Sequence, residues 1–116
     1  MSSPNRYFLS IADLAHARGA DPALSYAGAS PGDFGKALQD ALRSSALFER
    51  WRAAQPDPDE VDASLGVTDA QAQVKASAID LHTEVELTTS LPMQIVRQRL
   101  NWLIGSTWQL RDIRPA

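Results

Sequence analysis

The chain has 116 residues, no cysteine and a net charge of −3. That length supports one domain with a modest core, and 44% apolar with 22% charged residues is globular composition. The missing cysteines exclude disulfides and thiolate metal sites, and the acidic balance argues against broad phosphate-backbone binding, which needs many uncompensated cations.

The start, MSSPNRYFLS, lacks the basic and long apolar regions of a secretory signal. The longest aliphatic or aromatic run, Trp102-Leu103-Ile104, falls far short of the roughly 20 residues that span a bilayer. The chain therefore reads as cytoplasmic, with no membrane partner.

In chain order, the spacing of Tyr7, Ile11, Leu14 and Ala15 predicts a helix over 5–18, capped by Asn5 and stopped by Gly19. A connector of small residues covers 20–29. Ser30-Pro31-Gly32-Asp33 then opens a second helix, with a capping serine, a proline in the first turn and an acid at the positive dipole end. Its stripe, Phe34, Leu38, Ala41, Leu42, Ser45 and Phe48, widened by Leu47 and Trp51, predicts one helix over 31–54 that Pro56 ends. Residues 55–69 (QPDPDEVDASLGVTD) are an acidic, proline-containing loop, predicted to be mobile.

From Ile79 to Thr89, apolar residues and threonines alternate with Asp80, His82, Glu84, Glu86 and Thr88, which predicts a strand over 76–89. Val74, Ala78, Leu81 and Val85 also fit a helical face, so a mostly helical chain is the alternative. Ser90 and Pro92 start a helix that runs to Ile104, Gly105 suits a left-handed cap, and 107–113 (TWQLRDI) is a last strand. The predicted fold is α+β: two N-terminal helices, then a C-terminal β-α-β unit, in a single domain over 1–116. Two strands make a poor sheet, so a third short strand or dimerisation is required to complete it.

No chemistry-bearing motif is complete. Ser30 to Ala37 lacks the first glycine and the final hydroxyl of a phosphate-binding loop. Counting from Asp57, a calcium loop would need glycine and glutamate where Asp62 and Thr68 stand. His82-Thr83-Glu84 matches the H-x-E fragment of zinc deaminases without their cysteines, and reads as a strand's wet face. His16, one turn from Asp13, reads as a solvated or capping residue. No catalytic residue, metal ligand or cofactor is assigned.

Charge is unevenly spread. Residues 1–90 hold 7 basic against 13 acidic side chains, and residues 91–116 hold 4 basic against 1 acidic. Such a chain can pair its own halves or those of a neighbour. The helix over 91–104 carries two apolar faces. Met93, Val96, Leu100, Leu103 and Ile104 share an arc of about 100°. Leu91, Ile95 and Trp102 lie nearly opposite, flanked by Arg99.

Tryptophan and arginine dominate interface energetics, and exposed apolar patches are seldom bare. Leu91, Ile95, Arg99 and Trp102 are therefore the predicted partner-binding residues. The function they suggest is a non-enzymatic, self-associating interaction module: an adaptor, chaperone-like or assembly subunit binding a protein partner or its own copy. The alternatives are a small-ligand-binding regulatory domain, with a pocket beneath the 55–69 loop, and a helical rod-like component of a secretion or phage assembly.

Overall fold

The computed structural model describes residues 3–116. Its strands are β1 (Asn5–Ile11), β2 (Gln73–Ile79), β3 (His82–Thr89) and β4 (Trp108–Pro115). Its helices are α1 (Pro31–Arg43), α2 (Ala46–Ala53) and α3 (Met93–Ile104). The strands form one sheet in the order β2-β3-β1-β4, antiparallel at every junction. With α1 and α2 between β1 and β2 and α3 between β3 and β4, this is the split β-α-β, or ferredoxin-like, arrangement with one extra helix.

The α+β class holds, but the N-terminal half and the β-α-β order are corrected. Residues 5–11 are a strand, not a helix. Tyr7 and Ile11 are four apart, a spacing that serves both periods; Leu9, buried between them, decides for period 2. The sheet is completed inside the chain by β1 and β2, so dimerisation is not needed for it. The single strand expected over 76–89 is a hairpin, turning at Asp80-Leu81 with Asp80 at φ 54°. The helix expected over 31–54 is two, α1 and α2. It breaks where Ser44 adopts extended backbone and its hydroxyl donates to the Asp40 carbonyl, 3.1 Å away.

The core lies on one face of the sheet. Tyr7, Leu9 and Ile11 of β1 and Val85 and Leu87 of β3 pack against Phe34, Leu38 and Leu42 of α1 and Val96, Leu100 and Ile104 of α3. β3 alternates buried and half-buried along its length, as its sequence predicts. The far side of the sheet is polar: Lys75 pairs with Glu86, and Ser10 lies between Glu84 and Gln109.

Both edges of the sheet are blunted against strand addition. On β2, Gln39 Oε1 accepts the Val74 N–H (3.0 Å) and Arg43 Nε donates to the Ala72 carbonyl (2.6 Å). On β4, the partner of Phe8 is Asp112 while that of Leu9 is Leu110, so Arg111 is an extra, bulged residue. Asp112 Oδ1 takes the Ile113 N–H at 2.9 Å, and Pro115 has no N–H to offer.

Asp69 ties the long loop to β3. Its carboxylate accepts from Thr89 Oγ1 (2.8 Å), Ser90 N–H (3.0 Å) and Gln71 N–H (2.9 Å). Burial pushes its pKa up, but the Ser90, Thr89 and Gln71 donors outweigh that and hold it below the usual carboxylate value. A depressed folded pKa gives stability that is present above the unfolded pKa, about 3.9, and lost as pH falls through the folded value. Asp69→Asn is expected to cost about 1–2 kcal/mol at neutral pH and to flatten the acid limb of stability. Urea unfolding at neutral pH and at about pH 3 checks both.

Candidate interaction surface

The two apolar faces of α3 have a structural explanation. One face lies on the sheet. The other lies under α2 and the loop, where Trp102 stacks on Trp51 with ring centroids 5.1 Å apart and planes 28° apart. Of the four residues predicted to meet a partner, Leu91, Ile95 and Arg99 are sealed within this chain, and Trp102 is half-buried. The fold does bring Arg99 and Trp102 together, but as part of its own packing.

Arg99 is 0% exposed and has no acidic partner among the described residues. Its Nη2 donates to the carbonyls of Leu65 and Val67, each 3.1 Å away, and its Nε to that of Ala41 at 3.3 Å. Gln98 Oε1 accepts from Nη1. The guanidinium carbon lies 5.2 Å from the Trp102 ring centre and 5.9 Å from that of Phe48. Burial pulls its pKa down to about 10, so it stays charged at neutral pH. It anchors the stretch predicted to be mobile: two short 3₁₀ turns, Pro58–Glu60 and Ala63–Gly66, stand there, and Arg52 Nε holds the Pro58 carbonyl at 3.0 Å.

Apolar surface remains elsewhere. Leu110 and Ile113 of β4 pair with the buried Leu9 and Tyr7, so they stand on the side of the sheet that carries the helices. They are nevertheless 37% and 45% exposed. α1 covers β2 closely, Gly35 lying against Ala76, whereas no helix covers the middle of β4. Leu81, at the tip of the β2–β3 turn, is 96% exposed, with Ile79 beside it. Sequence reasoning passed over Leu110 and Ile113 because the bulge at Arg111 hides their common side. Three residues apart, they would fall on opposite faces of a regular strand.

The unequal halves of the chain do not neutralise each other. The ion pairs among the described residues are local: His16 with Asp13, Arg52 with Glu49, His82 with Glu84, and Arg114 with Asp112. None joins the acids of 57–62 to the arginines of 97–114. His82 Nε2 lies 2.7 Å from Glu84 Oε1, and no group of three metal-ligating side chains is assembled among the described residues. Among those residues, no helix is long and apolar enough to cross a membrane.

The fold thus defines an antiparallel α+β domain whose edge strand β4 is exposed at Leu110 and Ile113 on the helix side. No protein-family model, curated protein or solved structure matches the chain.

Proposed function

We propose that this chain is a non-enzymatic interaction module that associates with a second copy of itself through the helix-side surface of β4. The observation that carries this reading is the exposure of Leu110 and Ile113 on the side of the sheet that is otherwise covered. Cyclic pairing of identical chains is the commonest way such a patch is buried, because each copy presents the same surface.

The contact is made by side chains on the face of β4, since the bulge, Asp112 and Pro115 blunt its edge. A patch built on two apolar residues supports a weak, reversible complex rather than an obligate dimer. Ile113→Glu places a charge in that patch and is expected to abolish concentration-dependent association. Ile113 is exposed, so the far-ultraviolet circular dichroism should be unchanged. Association that survives Ile113→Glu contradicts this surface.

A further inference from the structure

We propose that the polar face of the sheet carries a binding site for a small hydrophilic carboxylate, with Arg111 as its anchor. The site is a depression of about 440 Å³ at the end of the sheet where β1 finishes and β4 begins. Ser10, His82, Gln109 and Arg111 line it, with Ser106 and Thr107 of the α3–β4 connection. It lies apart from the Leu110–Ile113 surface and does not depend on it.

Two observations point to a ligand. Arg111 is the bulged residue of β4, and a bulge re-aims its side chain at the expense of a regular ladder. It has no acidic partner among the described residues. Ser10, 7% exposed, borders the depression. His82, which also lines the site, is held by Glu84 at 2.7 Å.

The class of ligand follows from the charges. A guanidinium presents a planar fork that matches a carboxylate with two parallel hydrogen bonds. One arginine balances one negative charge, and the Glu84 carboxylate beside His82 repels a dianion such as phosphate. Ser10, Gln109 and the hydroxyls of 106–107 suit a ligand with its own hydroxyl or amino group, and Ala12 and Trp108, which also line the depression, suit a short carbon frame between them.

Amide-resolved NMR titration of the full chain with lactate, lactamide and inorganic phosphate tests this. Lactate is expected to cause saturable shifts at Ser10, His82, Gln109 and Arg111, and lactamide, which lacks the charge, none there. Arg111→Gln is expected to weaken lactate binding by about tenfold or more, with Arg111→Lys, which keeps the charge but not the fork, in between. Three results would overturn the proposal: no saturable shift at these residues, lactamide binding as well as lactate, or lactate binding unchanged in Arg111→Gln. Phosphate binding more tightly than lactate would overturn the assignment to a carboxylate.

Discussion

Arg99→Ala is expected to destabilise the fold by about 3–4 kcal/mol, a large share of the roughly 5–15 kcal/mol that holds a domain of this size. The substitution strips the carbonyls of Ala41, Leu65 and Val67 of their donor at once. It leaves a gap between Phe48 and Trp102, whose rings flank the guanidinium. Each buried carbonyl left without a partner costs about 1–3 kcal/mol, and the loss of packing adds to it. Water entering beneath the loosened loop recovers part of that. Arg99→Lys restores the charge but not the forked geometry, because an ammonium cannot reach carbonyls from α1 and the 65–67 turn together. Urea unfolding followed by tryptophan fluorescence measures both variants, and it also reports on the stacked Trp51–Trp102 pair. A loss below about 1 kcal/mol for Arg99→Ala would show that the loop does not depend on this residue.

Gly19→Ala is the second large effect, at about 2–3 kcal/mol. The connector after β1 runs against the C-terminal end of α3, where carbonyls lack helical partners. Tyr26 N–H donates to the Leu103 carbonyl at 2.8 Å, and Ser25 Oγ donates to the same oxygen at 3.3 Å. Gly19 lies so close that a Cβ would overlap the Trp102 carbonyl oxygen and come within 3.0 Å of its carbon. Both are main-chain atoms of a packed helix, so the connector must move instead. Gly32→Ala is the control: the nearest atom to its Cβ would be Ser30 Oγ at 3.7 Å, and helix entry favours alanine. It is expected to be neutral or to stabilise by about 0.5 kcal/mol. Thermal unfolding of the two variants side by side separates a steric effect from a general dislike of alanine in place of glycine.

How much of this was legible in the sequence depends on whether the signal was local. The alternation of β3, the helix α3 and the last strand follow from neighbouring residues, although Pro92, not Ser90, stands at the N-cap of α3, without a side-chain cap. So does the positive φ of Gly105, observed at 65°. β1 was lost because its pairs, Tyr7 with Leu87 and Ile113, lie about a whole chain away, and the local spacing fits a helix equally well. The hairpin turn was hidden because Asp80 and Leu81 lack the Asn-Gly or Asp-Gly signature. The break between α1 and α2 comes at two serines, with no proline or glycine to announce it.

The surface residues show the same division. The wheel of α3 revealed that a second face needs cover, and periodicity cannot say whether α2 or a partner supplies it. Arg99 read as a flanking charge because arginines are seldom fully buried, and only the loop carbonyls above it explain its inward course. The β4 patch required knowledge of a bulge that no residue type marks.

Sedimentation velocity of the wild-type chain across a concentration series, at low and at high salt, reads self-association of this chain without any substitution. The predicted result is a reversible shift from a 12.6 kDa species toward twice that mass, retained at high salt because the contact is apolar. A single 12.6 kDa species at every concentration and ionic strength would contradict it.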